Sequence, residues 1–381
     1  LDPAAKLVLR GGPGTGKTVV ALHRAAWLVY NDRRITSDRF LVIGPSDRFL
    51  RFVSAVLPTL GESRITQTTF DRHLGASHPA GADPRWLDVL DRLEASLPQP
   101  TTVRSSGRWI PEDEIAALCE RVLALSVPWR ERRKIFLGRV ASQLEINAKE
   151  ATRVGGAVLP AVSTTAAWKR ITSKASLEAL GAPADLIDAW LGPRGRDKPT
   201  DGALLDEVKA RFEGVTTRYA HVVVDEAQDL TLFQLRAVMR RSDGLTLVGD
   251  DAQRSVAAGL GLRKVAEMLG TPLEQMDIAY RMSAEIADWL NAHARRNGID
   301  SVRLVGIRPN GIAVVDAPRT DAETHRARLA ERWENVALTL STARPLGATS
   351  APDLWEEEIQ VYEPLADKMK KERDRITGNE L

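Results

Sequence analysis

The sequence predicts an α/β fold built on a parallel sheet, and three features predict it. Leu7-Val8-Leu9 leads directly into Gly11-Gly12-Pro13-Gly14-Thr15-Gly16-Lys17-Thr18, an apolar strand feeding a glycine-rich turn. Phe40-Leu41-Val42-Ile43 repeats the strand signal after one amphipathic helix, and a strand–helix–strand order of this kind requires parallel pairing. His221-Val222-Val223-Val224 and Leu245-Thr246-Leu247-Val248 repeat it again further along, each followed by a turn and a helical pattern.

Taken in order, residues 6–10 read as the first strand and 17–31 as the first helix. The loop between them satisfies G-x-x-x-x-G-K-[ST], with a strand before it and a helix after it, the context in which this pattern means phosphate binding. Its glycines let backbone N–H groups converge on phosphates, Lys17 reaches the β- and γ-phosphates, and the Thr18 hydroxyl suits Mg²⁺. A nucleoside triphosphate is the expected ligand, cradled by Gly12, Pro13, Gly14, Thr15, Gly16, Lys17 and Thr18, with Val19 beside them. The second strand ends at Gly44-Pro45. From about Asp71 to Arg211 the pattern turns helical, punctuated by Pro98, Pro100, Pro111, Pro128, Gly155-Gly156 and Gly192-Pro193. A helix is expected from about Ser283 to Asn297, closed by Arg295, Arg296 and Gly298, a cationic last turn and a C′ glycine. A strand-like run follows at 311–315, and 351–381 reads as one amphipathic helix.

Composition narrows the class. The chain has 381 residues, 43% hydrophobic and 27% charged, which is ordinary for a globular protein of two or three units. No apolar run approaches the ~20 residues that cross a bilayer, and the start lacks the basic, apolar, small-residue order of a signal peptide. A cytoplasmic protein without a membrane partner is expected. Leu1 stands almost on top of the first strand, so a segment of a longer protein is expected too. Cys119 is the single cysteine, which excludes an internal disulfide, and it reads as a small buried hydrophobe in a helix. The 53 basic residues nearly balance 51 acidic ones, for a net charge of +2. Arg130, Arg132, Arg133, Lys134 and Arg139 nevertheless cluster, as a stripe for phosphates or as a solvated helix face.

Val222-Val223-Val224-Asp225-Glu226-Ala227-Gln228-Asp229 delivers adjacent carboxylates to a strand's C-terminal edge, where P-loop proteins hold Mg²⁺ and the attacking water. Asp225 is the expected metal ligand together with Thr18, and Glu226 the group that polarises water. Asp229 alone has a blander reading, as a cap for the helix that starts near Thr231. Gln253, in Val248-Gly249-Asp250-Asp251-Ala252-Gln253, is placed to contact the γ-phosphate. In Ala279-Tyr280-Arg281, Arg281 can act as an arginine finger and Tyr280 can stack on the base.

In this order the motifs over residues 1–300 resemble those of the UvrD/Rep-type superfamily 1 helicases, and within them the HelD-like branch. Gly11–Thr18 is similar to motif I, Leu41–Leu60 to Ia, Thr68-Thr69-Phe70 to Ib, Val224–Asp229 to II, Val248–Gln253 to III and Tyr280-Arg281 to IV, while Ala21–Trp27 looks HelD-like. The resemblance implies an ATP-hydrolysing, Mg²⁺-dependent motor. Its implied fold is a RecA-like P-loop domain (1–70 and 216–275), a helical insertion (71–215) and a partial or degenerate second RecA-like domain (276–350), ahead of a C-terminal helix (351–381). Catalytic roles then fall on Glu226, Gln253 and Arg281, and nucleic-acid contacts on Pro45, Thr69 and Phe70. DNA is the first partner implied, bound weakly and without sequence preference by a monomer. The chain departs from the family at Val19, where an adenine-stacking Arg is common, and at Val256 and Ala258, where processive members carry aromatics. Val336–Leu340 only faintly resembles motif VI, with Leu340 in the place of its Arg, and no motif V is found. Two other readings follow: a HelD-like factor that remodels RNA polymerase, and a nucleotide-binding remnant without turnover. A small-molecule kinase would not place Asp-Glu-Ala-Gln after the strand.

Overall fold

The computed structural model describes residues 5–308 except 33–34, 60–63, 106, 193, 196 and 216–217. The expected strand at 311–315, the 336–340 segment, the helix at 351–381 and most of the partial second domain lie outside the described residues. The chain opens with β1 (Lys6–Gly11), α1 (Lys17–Asn31), β2 (Phe40–Ile43), α2 (Asp47–Thr59), β3 (Thr66–Thr68) and α3 (Phe70–Leu74). Next come α4 (Trp86–Ala95), the hairpin β4 (Val103–Ser105) and β5 (Arg108–Ile110), α5 (Glu112–Leu123), α6 (Trp129–Leu144) and α7 (Ala148–Gly155). They are followed by α8 (Thr164–Ile171), α9 (Lys174–Ala179), α10 (Ala184–Leu191) and α11 (Gly202–Phe212). The sheet resumes with β6 (Tyr219–Val224), α12 (Leu232–Arg241), β7 (Ser242–Gly249), α13 (Leu262–Leu269) and β8 (Leu273–Met276), ahead of β9 (Ile278–Ser283), α14 (Ala284–Arg296) and β10 (Val305–Arg308).

Among the described residues, β1, β2, β3, β6, β7 and β8 form one sheet in the order β3-β2-β6-β7-β1-β8, with every neighbouring pair parallel. Both faces are covered, which explains the unbroken apolar runs. On one face Leu7, Leu9, Phe40, Val42, Val223 and Val248 pack with Leu22, Ala25 and Leu28 of α1. On the other, Val8, Leu41, Ile43, Val222, Val224 and Leu247 pack with α12 and α13. A third core lies among α4–α11, around Trp86, Trp129, Phe136, Trp190 and Phe212, and Phe233 of α12 joins it. This is the RecA-like P-loop arrangement, with β7 standing between the P-loop strand and the Asp225 strand.

Contacts divide the chain into two compact units, Leu1–Arg281 with Leu290–Val305, and Met282–Trp289 with Gly306–Leu381. The first holds the sheet and helices α1–α13. In the second, the described residues comprise the end of β9, the first half of α14 and the part of β10 from Gly306 on.

Three strand pieces escape the sequence patterns. β3 and β8 are short, edge-placed and largely polar, and β4–β5 is a hairpin of two three-residue strands inside an otherwise helical stretch. Of the basic cluster on α6, two members turn inward. Arg132 pairs with Glu94 and donates to the Leu125 carbonyl at 3.0 Å, and Arg133 donates to the Leu159 carbonyl at 3.0 Å. Of the five basic residues, read as a phosphate stripe or as a solvated face, Arg130, Lys134 and Arg139 remain outward. Cys119 is buried in α5, where burial pushes its thiol up to about 11.

Candidate nucleotide site

The loop from β1 to α1 folds back on itself. Thr15 donates through its hydroxyl to the Gly12 carbonyl at 2.8 Å, and Lys17 Nζ reaches the same carbonyl at 3.3 Å. Gly14 and Gly16 have φ of 74° and 84°, the left-handed region that a Cβ disfavours. At Gly14 the chain is also crowded, since a Cβ would lie 2.7 Å from Cβ of Arg281. The Gly14 carbonyl accepts N–H bonds from Tyr280 at 2.9 Å and Arg281 at 3.4 Å, so the β9 segment runs against the loop. α1 then points its N-terminal amides at the loop, the geometry that favours anions.

Across β7, the end of β6 delivers Asp225 to the same place. Asp225 Oδ2 accepts the Thr18 hydroxyl at 2.6 Å. Burial raises the Asp225 pKa, opposed by the hydrogen bonds from Thr18 and the Glu226 amide and by the charge of Lys17. Glu226 follows in a left-handed conformation, φ 53° and ψ 41°, unusual for a residue with a Cβ. Its carboxylate accepts from Gln228 Nε2 at 2.7 Å. Burial, and then the neighbouring Asp225 charge, raise its pKa as well. A phosphate loop, a carboxylate touching the loop's Thr and a second carboxylate held in strained backbone thus share one sheet edge.

A family model described as an AAA domain, found in UvrD/Rep-like superfamily 1 helicases, matches residues 3–258. The chain belongs to that family. A search of curated proteins gives no match. The AAA domain here is a P-loop NTPase of helicase type, and its matched span covers every element from β1 to β7.

Within the AAA domain, sequence reasoning missed the polar chain that joins motif II to motif III. Gln228 is buried; while Nε2 serves Glu226, Oε1 accepts the Asp250 amide at 3.0 Å. Asp250 in turn accepts Gln253 Nε2 at 2.9 Å. Asp229 does not cap α12, because Thr231 fills that role itself in a capping box with Gln234. The Asp229 carboxylate holds the loop after motif III, accepting the Ser255 amide at 2.8 Å, its hydroxyl at 2.6 Å and the Val256 amide at 3.0 Å. Gly259 permits the close approach: a Cβ there would sit 2.7 Å from the Gln228 carbonyl. The four-residue spacing of Asp225 and Asp229 was the available signal, but partners more than 20 residues away cannot be read from it.

Elsewhere the placements are mixed. Tyr280 (52% exposed) and Val19 (47% exposed) are open to solvent, Gln253 and Arg281 are exposed, and Pro45 is exposed at the end of β2. Thr69 caps α3 by accepting the Arg72 amide at 3.3 Å, and half-buried Phe70 packs against the α12–α13 side of the sheet. Behind the site, buried Arg24 of α1 bonds Thr246 of β7 and lies 3.3 Å from Nε2 of His221 on β6. Burial, reinforced by the Arg24 charge, drops the His221 pKa to about 3 and keeps the ring neutral. Arg10, buried at the end of β1, anchors Asp251 at 3.5 Å and Asp300 at 3.1 Å. No described helix is long and apolar enough to cross a membrane.

Proposed function

We propose that this chain is an ATP-hydrolysing motor of the superfamily 1 helicase type, acting on nucleic acid or a nucleoprotein complex. The observation that carries the reading is the 2.6 Å contact between Thr18 and Asp225, with Glu226 beside it held by Gln228 at 2.7 Å. A hydroxyl and a carboxylate are hard oxygen donors, and two protein ligands of this kind suit Mg²⁺, which keeps waters and phosphate oxygens for its remaining positions. Held by Thr18 and Asp225, such an ion would supply charge neutralisation at the β- and γ-phosphates. Lys17 meets the same phosphates, Glu226 orients and deprotonates water, Gln253 senses the γ-phosphate and Arg281 stabilises charge on the transferred group. Val19 and Tyr280 flank the base.

Lys17→Ala tests the nucleotide site. Removing the point charge at the phosphates is expected to weaken Mg-ATP binding at least tenfold in a titration with a fluorescent ATP analogue. Unchanged affinity would remove the P-loop from the account. For nucleic acid, Val256 (39% exposed) and Ala258 offer no aromatic face, so backbone charge dominates and binding is weak, sequence-independent and steeply salt-dependent. The same two residues favour a second reading, in which a cytoplasmic monomer of the HelD-like branch spends its ATP cycle on RNA polymerase. Co-purification with RNA polymerase without strand separation would select it.

A further inference from the structure

We propose that the outer face of the β4–β5 hairpin is a stacking platform for an unpaired base of single-stranded nucleic acid. The inference rests on the nucleic-acid reading above and gives that reading a contact point outside the sheet. The hairpin register places Arg104 directly opposite Trp109, and directly opposed side chains share one face of a two-stranded sheet. Both are exposed, Trp109 by 61%. Neither has a hydrogen-bond, ion-pair or ring partner among the described residues.

The opposite face is fastened down. Val103 and Ile110 are buried in the core of the helical segment, Ser105 donates to Glu150 of α7 at 2.8 Å, and Arg108 pairs with Glu145 at 2.5 Å. A short, anchored hairpin therefore holds a bare indole next to an uncompensated guanidinium. Indole supplies a flat π surface that accepts any base, while the cation suits either the adjoining phosphate or the base's other face. Charge complementarity selects the occupant. Glu145, the C-cap of α6, and Glu150 of α7 are already paired with Arg108 and Arg153, whereas Arg139 of α6 and Lys149 of α7 carry no partner among the described residues. The acidic first turn of α5, Glu112-Asp113-Glu114, begins two residues after Ile110 and repels phosphates on that side of the hairpin.

The test is fluorescence anisotropy of the full chain with a fluorescein-labelled oligothymidylate and with an abasic strand of the same length. Trp109→Ala is expected to weaken oligothymidylate binding about 5- to 150-fold, Trp109→Phe to retain most of it, and the abasic strand to bind all three proteins alike. Arg104→Ala is expected to lower the slope of log affinity against log salt by about one. Unfolding temperature and ATP turnover without nucleic acid, measured on each variant, are expected to match the parent protein because both side chains lie on the surface. Equal oligothymidylate affinity for parent and Trp109→Ala overturns the platform even if ATP turnover is robust, and would leave the hairpin to an acidic protein partner. Failure of the parent to bind the oligothymidylate overturns it as well. Failure of the motor reading would show separately, as absent turnover in the parent.

Discussion

Glu207 lies on α11, 1% exposed, and accepts four hydrogen bonds from three guanidinium groups. Arg211 Nε stands at 3.0 Å, Arg236 at 3.0 and 2.9 Å, and Arg240 at 2.5 Å. Arg236 and Arg240 come from α12, directly after motif II, so this cluster fastens the helical segment to the element that follows Asp225. Asp206 adds Arg240 at 2.7 Å and Arg241 at 2.8 Å. Burial by itself would raise the Glu207 pKa; the Arg236 hydrogen bonds and the charges of Arg240 and Arg236 outweigh it and hold the carboxyl at about 2, against an ordinary 4.5. That difference corresponds to about 3 kcal/mol of folding stability at ~1.4 kcal/mol per pH unit. Removing one partner of a buried ion pair costs ~3–5 kcal/mol, an independent figure of the same size. Glu207→Gln sets an amide N–H₂ against guanidinium donors and is therefore expected to lose about 3 kcal/mol at pH 7. The sign with pH follows from a lowered carboxylate. Its contribution is complete above about pH 4.5 and disappears as pH falls toward 2, so the parent should lose its advantage over the variant across that window. Urea unfolding at pH 7 and again near pH 3 measures both. Equal midpoints at pH 7, or a gap that persists unchanged at pH 3, would mean that the arginine cluster does not hold Glu207 charged.

Two further outcomes follow from polar groups around the sheet. His221, neutral with a pKa near 3, takes up no proton on the folded side until far below the pH at which the unfolded chain does, about 6.5. Stability therefore declines as pH drops from 6.5 toward 3, and His221→Gln is expected to flatten the melting temperature between pH 6.5 and 4.5; identical slopes in parent and variant would contradict this. Asp229→Ala removes the acceptor of the Ser255 and Val256 amides, and amide hydrogen exchange in 254–261 is expected to accelerate about tenfold or more while β6 and β7 keep their protection. Unchanged exchange there would mean that Gly259 and its neighbours hold the loop unaided.

The phosphate loop, the four central apolar runs and the acidic strand end were legible because each is local: the chemistry of Gly14, Lys17, Thr18 and Asp225 is fixed by a few adjacent residues and by the strands beneath them. The order of the strands in the sheet was implied only through the family resemblance. What stayed hidden depends on partners distant in the chain. The Asp229 carboxylate serves Ser255, Glu207 on α11 collects arginines from α12, and Arg24 bonds a Thr on β7, pairings that no spacing encodes. Edge strands β3 and β8 were lost for another reason: Thr66-Gln67-Thr68 and Leu273-Glu274-Gln275-Met276 are only half covered and carry no apolar run. The inward turn of Arg132 and Arg133 likewise became visible only once Glu94 and the Leu159 carbonyl were beside them.

In the proposed function Glu226, held in left-handed backbone at the edge of β6, activates water against a nucleotide gripped by Lys17 and Thr18. Glu226→Gln measures it most directly, because the amide keeps the shape and the Gln228 contact but takes no proton. Equilibrium binding of Mg-ATP and steady-state phosphate release should be followed on the same preparation. Affinity within a few-fold of the parent and turnover lower by about 10²- to 10⁴-fold are expected. Phosphate release at the parent rate, with binding intact, would contradict it.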